Sequence, residues 1–312
     1  MNTVRSSTEI RGAYLLLTLA MLCFGGTWVA GALAVEAIPP ATIAVVRFGL
    51  AAGLLWVWDR AQSRRRGPLQ TKDLPLILAL GATAVAGYNI LFLYGLRLAP
   101  ASDGAIIVPG FAPILTSALA GPLLGERIGP RGVLGLLIGL AGVLLVMRPG
   151  AQVEGGRLAG DLLFFTGAFA WAIYTLVGRA ATTRFTPAGA TLYAFVSGTL
   201  MLLPFAVLEQ GWRALLDAPA AAWGGVLYLA AFGSVLAFVL FYEGLYRVGA
   251  SRAAPFAFLV PIFGVVSSVI ILGEELHPLL IAGGALVLLG LWMVLSRPAI
   301  SARAAPAAES ET

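Results

Sequence analysis

The sequence predicts an all-α polytopic membrane protein, with ten transmembrane helices arranged as two inverted five-helix repeats. Three observations carry this expectation. The 312 residues are 59% hydrophobic and only 11% charged, against roughly 25% charged in soluble domains. Apolar runs approaching or reaching the 20 or so residues that span a bilayer recur along the chain. The chain also resembles itself at a shift of 148 residues, the separation of Gly12 from Gly160 and of Pro39 from Pro187.

Breaks at charged, Pro and Gly clusters delimit spans at 13–35, 41–58, 74–96, 101–122, 131–147, 160–178, 188–208, 222–246, 250–272 and 278–295. Arg11-Gly12 precedes the first span and Pro39 follows it. Arg60 and Arg64–Arg66 close the second, and Lys72 opens onto the third. Arg97 ends the third span, Arg127 and Pro130 separate the fourth from the fifth, and Arg148 closes the first half. Arg157-Gly160 leads into the sixth span, Arg179 and Arg184 close it, and Pro187 starts the seventh. Arg213 lies between the seventh and eighth, Arg247 and Arg252 between the eighth and ninth, Pro278 before the tenth and Arg297 after it. Short links require antiparallel neighbours. The first span is too long for a signal-peptide core and lacks a clear cleavage site before a polar domain, so it reads as a helix that stays. Residues 298–312, small and polar, read as a disordered cytoplasmic tail.

The rest of the composition excludes several classes. The pI of about 9.7 reflects basic residues in short links and points to no nucleic acid. Cys23 and His277 are the only residues of their types, so neither an intrachain disulfide nor a Cys/His metal site is expected. No cofactor and no catalytic residue is expected. The absence of GxxxxGK[ST] argues against ATP hydrolysis by this chain. Fifteen of the 20 Lys and Arg fall on the side of the N-terminus. Four, Arg97, Arg148, Arg157 and Arg213, fall opposite, and Arg47 lies inside a span. That bias places both termini in the cytoplasm.

Further matches tie the halves together: Thr27 with Thr175, Pro113 with Pro261, Gly125-Glu126 with Gly273-Glu274, Pro130 with Pro278 and Gly142 with Gly290. Five spans per half is odd, so the second half enters the membrane upside down. "LLGERIGP" then faces the cytoplasm with Arg127, and "ILGEELHP" faces outward with Glu275 in its place. Inverted repeats of this kind build secondary transporters, whose substrate site lies near the midplane where the halves meet.

With Gly-Glu after spans 4 and 9, Arg47-Phe48 in span 2 and the opening "GAYLLLTLAMLCFGGTWVA", the chain resembles the EamA family of the drug/metabolite transporter superfamily. The likeness runs from about residue 12 to 297, with one five-helix repeat at 12–148 and the second, inverted, at 160–297. It implies a transporter of the bacterial inner (plasma) membrane similar to bacterial exporters of aromatic and other amino acids, with a small-molecule substrate. The second half departs from the Arg-Phe pattern, since Phe195 stands where Arg47 would be.

Arg47 lies six residues into span 2, roughly 9 Å down the helix. A charge there costs at least about 2.5 kcal/mol on insertion scales. It is a candidate for a substrate carboxylate, against snorkelling or pinning a helix end. Tyr88 and Phe92 share a face of span 3 beside Asn89, which is too polar to face lipid. Trp171, Tyr174 and Thr175 form a patch on span 6. With Thr27, Phe111 and Phe258, these aromatics can box a flat or apolar side chain, or simply pack. Pro109 and Pro113 around Phe111, and Pro255 and Pro261 around Phe258, predict weakened helices beside the site. Glu243 is a coupling candidate against an i,i+4 pair with Arg247. Asp103 is a second, against a helix-start role. Glu126 and Glu274 read as structural acceptors of backbone donors. Trp56, Trp58 and Trp212 read as an interfacial belt. Near-GxxxG spacing in spans 5 and 10 marks packing elements, either an internal brace or a dimer seam in a monomer or weak dimer surrounded by membrane lipids. Spans 3, 4, 8 and 9 are the expected moving set. A proton-coupled multidrug exporter is the alternative function, and an intramembrane lipid-modifying enzyme a remote one.

Overall fold

The computed structural model describes residues 7–61, 70–124, 129–147, 156–181, 184–248 and 253–295, and every regular element among them is helical. In the first half, α1 is Ser7–Val35, α2 is Pro40–Ala61, α4 is Ala101–Leu124 and α5 is Pro130–Met147. Between them α3 runs as a 3₁₀ turn Thr71–Asp73, an α-helix Leu74–Leu80, a π-helical stretch Gly81–Gly87 and an α-helix Tyr88–Leu98. In the second half, α6 is Arg157–Ala181, α7 is Pro187–Leu208 and α10 is Pro278–Leu295. Here α8 comprises Ala220–Tyr228, a π-helical stretch Leu229–Leu236, and Ala237–Val248. Similarly α9 comprises a 3₁₀ turn Ala254–Phe258, then Leu259–Ser267, then a π-helical stretch Ser268–Leu272. A short helix, Trp212–Asp217, lies between α7 and α8 where no span was expected.

Among the described residues, eight helices, α1 to α8, are long and apolar enough to cross a membrane, and α9 and α10 carry the shorter apolar helices 256–272 and 278–294. The helix starts follow from Pro40, Pro130, Pro187 and Pro278, whose fixed φ and missing N–H suit a first turn. Gly273, at φ 70°, ends α9 in the left-handed region that glycine enters without strain. Leu15, Val57, Leu134, Leu200, Leu208 and Ile270 all lie exposed on the outside of the bundle. So large an apolar exterior is what a multi-pass membrane protein presents to lipid.

Helix α1 packs against α8 and α9, and α6 against α3 and α4; α2 packs on α7, and α5 on α10. Exchanging the two halves, α1 for α6, α3 for α8 and α4 for α9, leaves this set of contacts unchanged. The tightest seam joins α5 to α10 through the spaced glycines. A Cβ on Gly290 would lie 2.5 Å from the Gly135 carbonyl oxygen, and one on Gly283 would lie 2.6 Å from that of Gly142. These glycines form a brace within the chain.

One local expectation is corrected. The prolines around Phe111 do not interrupt their helix: α4 runs unbroken through Pro109 and Pro113. Pro261 likewise sits within a regular α-helical stretch, while Pro255 falls in the opening 3₁₀ turn. The irregular turns are instead the π-helical stretches of α3, α8 and α9, wider turns that shift carbonyls out of the α-helical ladder.

Candidate functional site

Arg47 marks the site. Helix α2 carries it into the bundle, where the residue is only 8% exposed. Its Nε donates to Ser234 Oγ of α8 at 3.0 Å, and its Nη1 donates to Asn89 Oδ1 of α3 at 2.9 Å. Each acceptor is anchored in turn on its own helix. Asn89 Nδ2 donates to the Ala84 carbonyl at 2.7 Å, and Ser234 Oγ donates to the Leu229 carbonyl at 2.8 Å. Both carbonyls belong to π-helical stretches. Among the described residues no carboxylate pairs with Arg47. A guanidinium with five N–H donors is therefore held here by two neutral oxygens. Its carbon also lies 4.7 Å from the centre of the Phe48 ring.

Thr27 borders this cluster. Its hydroxyl donates to the Phe24 carbonyl at 2.6 Å. Gly233 of α8 approaches so closely that a Cβ there would lie 2.6 Å from Thr27 Cγ2 and 3.9 Å from Arg47 Nη2.

A continuous row of aromatic rings runs beside Asn89. Tyr174 meets Trp171 at 5.4 Å, Trp171 meets Tyr88 at 4.9 Å, and Tyr88 stacks on Phe92 at 5.9 Å. Phe92 then meets Trp28 at 5.0 Å, and Trp28 meets Phe164 at 5.6 Å. The i,i+3 and i,i+4 spacings on α3 and α6 bring four of these residues together. Trp28 and Phe164 extend the row without having been expected there. Ser234 escaped notice as a lone serine in an apolar run.

The other candidates lie elsewhere in the contact pattern. Phe111 is buried and stacks on Phe165 at 5.6 Å, which in turn meets Phe169. Phe258 is half-buried against the core, outside the described ring contacts of the aromatic row. Glu243 is half-exposed and pairs with Arg247 at 2.8 Å. Asp103 is fully buried in the first turn of α4 and pairs with Arg157 at 2.5 Å. Glu126 lies outside the described residues.

Two carboxylates clamp the bundle at the end where α2 and α4 begin. Glu274, in the link after α9, accepts from the Ala101 and Ser102 backbone N–H groups at 2.7 and 2.9 Å. Glu209, just past α7, accepts from those of Ala41 and Thr42, each at 3.1 Å, and from Tyr94 Oη at 2.7 Å. Both satisfy helix-start donors that have no partner within the helix. At the opposite end, Arg184 donates to both carboxylate oxygens of Asp73, at 2.7 and 3.1 Å. A cavity of about 630 Å³ opens between α3 and α7, lined by Gly87, Ile90, Tyr94 and Phe205 among others, and Arg47, Asn89 and Ser234 do not line it.

The EamA-like transporter family matches twice, over residues 11–148 and 158–296. The chain belongs to the EamA-like transporter family. Among its relatives is the uncharacterized transporter YyaM of Bacillus subtilis, 31% identical over 281 residues, covering 89% of this chain and 91% of the relative. Another is a probable terminal-alkyne amino-acid exporter of Streptantibioticus cattleyicolor, 28% identical over 256 residues and covering 82% of each chain. A solved crystal structure shares the fold with a TM-score of 0.63 at 20% identity, covering 91% of this chain and 97% of that one. This EamA protein is thus a multi-pass membrane transporter built from a duplicated unit.

Proposed function

We propose that this EamA protein is a secondary transporter of the inner membrane that exports amino acids, aromatic or otherwise apolar, or similar small metabolites, by alternating access. Ten spans form two inverted five-helix repeats, with both termini cytoplasmic. The contact pattern that survives exchange of the halves supports the repeat, and the excess of Lys and Arg in one set of links supports the orientation. The one observation that carries the substrate class is Arg47, a buried cation between the halves that bonds only neutral acceptors among the described residues. A carboxylate would give it a charge-assisted, bidentate partner. The aromatic row through Tyr88 and Trp171 offers a surface for the substrate's side chain. The exporter among its relatives supports both the direction and the amino-acid class.

The test is flux from proteoliposomes containing this protein alone, preloaded with phenylalanine, threonine or a cationic dye, with and without a pH gradient. Amino-acid efflux supports the reading, and indifference to the gradient makes it facilitative. Gradient-driven dye movement with no amino-acid flux replaces it with a proton-coupled multidrug exporter.

A further inference from the structure

We propose that Arg47 is a latch between the two repeats. It ties the π-helical stretch of α3 to that of α8, and a substrate carboxylate frees both by taking over the guanidinium. The release step rests on the carboxylate reading above; the latch itself does not.

The two stretches are repeat-related. Gly81 and Leu229, where they start, stand at the same 148-residue separation as Pro39 and Pro187 or Pro113 and Pro261. Both close in the same way. The Tyr88 N–H donates to the Thr83 carbonyl and the Ala237 N–H to the Phe232 carbonyl, each five residues back. A side chain then secures a second carbonyl five residues back, Asn89 onto Ala84 and Ser234 onto Leu229. The oxygens of those same side chains accept from Arg47. Asn89 and Ser234 do not occupy equivalent positions, so the two repeats reach one arginine by different routes.

Only one such arginine is available. Phe195 occupies the matching place on α7 and packs on Phe48, with ring centres 4.9 Å apart. The latch is therefore a single joint at which α2, α3 and α8 meet. π-Helical turns mark places where a helix can change shape, and this joint holds two of them in register. Its bonds are ion–neutral, weaker than the ion–ion pair a carboxylate offers, so substrate can displace them.

The experiment is hydrogen exchange on the substrate-free protein in nanodiscs, followed across 81–87 and 229–236, with phenylalanine and phenylalaninamide binding measured on the same samples. Ser234→Ala removes one arm, and exchange is expected to rise about tenfold in both stretches, including the one on α3 that Ser234 does not touch. Phenylalanine affinity should rise severalfold as Arg47 loses a competitor. Asn89→Asp also removes the donor to the Ala84 carbonyl, so exchange in 81–87 should rise, while a fixed carboxylate on Arg47 should weaken phenylalanine binding about tenfold. Phenylalaninamide, which lacks the carboxylate, should respond to neither change. Exchange in Ser234→Ala that rises only within 229–236 overturns the latch. Coupled exchange with equal responses to phenylalanine and its amide overturns the release step. Failure of the unmodified protein to bind phenylalanine overturns the substrate reading, while the exchange result still decides the latch.

Discussion

Replacing Glu274 by glutamine tests whether the link after α9 holds the start of α4. The Glu274 carboxylate takes the Ala101 and Ser102 N–H groups on its two oxygens, at 2.7 and 2.9 Å. Glutamine keeps one oxygen and turns an NH₂ toward the other donor. It also removes the negative charge from the positive end of the helix. Loss of a helix cap costs about 1–2 kcal/mol, and the dipole interaction typically contributes 0.3–1 kcal/mol of that order. A loss of about 1–2 kcal/mol corresponds to roughly 5–30-fold in a local opening equilibrium. The assay is hydrogen exchange at the Ala101 and Ser102 amides, which report opening of this cap directly. Glu275→Gln is the control, since the adjacent Glu275 side chain is exposed; it should stay within about 0.5 kcal/mol. Unchanged exchange in Glu274→Gln, or an equal rise in Glu275→Gln, refutes the cap. Under alternating access, the same substitution should raise the share of molecules open at this end.

Other consequences follow from the same geometry. Gly290→Ala drives a Cβ to 2.5 Å from a backbone oxygen across the α5–α10 seam and should cost about 1–3 kcal/mol in mixed-micelle unfolding. Gly49→Ala, which meets nothing within 4 Å, should instead gain about 0.5–1 kcal/mol; a matching loss would remove the brace. Trp171→Ala opens the aromatic row and should cut phenylalanine efflux severalfold relative to threonine, whereas equal loss for both would reduce Trp171 to packing. Glu243→Gln breaks only a half-exposed i,i+4 pair and should cost under about 0.5 kcal/mol. Its efflux should respond to a pH gradient as the unmodified protein does, and a lost response would make Glu243 the coupling group.

The helices were legible in the sequence because lipid removes the usual ambiguity: an apolar run of bilayer length has few alternatives to a helix. The predicted span 188–208 and the helix Pro187–Leu208 differ by one residue, since Pro187 fixes the start. Trp212–Asp217 was not legible, being six residues of mixed polarity with no periodicity to read. The π-helical stretches were hidden for a different reason. Their residues, "GATAVAG" and "LAAFGSVL", are ordinary for a membrane helix, and no residue spacing or proline in them marks the wider turn. Proline drew the expectation of weakened helices to α4, yet the helix runs unbroken through Pro109 and Pro113, packed between α6 and α9.

Repetition found one clamp and missed its companion. Glu274 stands out because Gly-Glu recurs 148 residues earlier, at Glu126. Glu209 has no such echo: the same shift leads to Ala61. Yet both acids do one job, each accepting from two consecutive N–H groups at the start of a first-half helix. The shared job follows from topology. Helices α2 and α4 both begin at the end of the bundle where α7 and α9 finish, so an acid just past either second-half helix is within reach of orphan donors in the first. Arg47 obeys the same logic at mid-bundle. Its counterpart is Phe195, and it finds partners on α3 and α8 only because the exchangeable contact pattern brings those two helices to the same place. Symmetry of the fold supplies the positions, and unrepeated residues make the contacts that distinguish one repeat from the other.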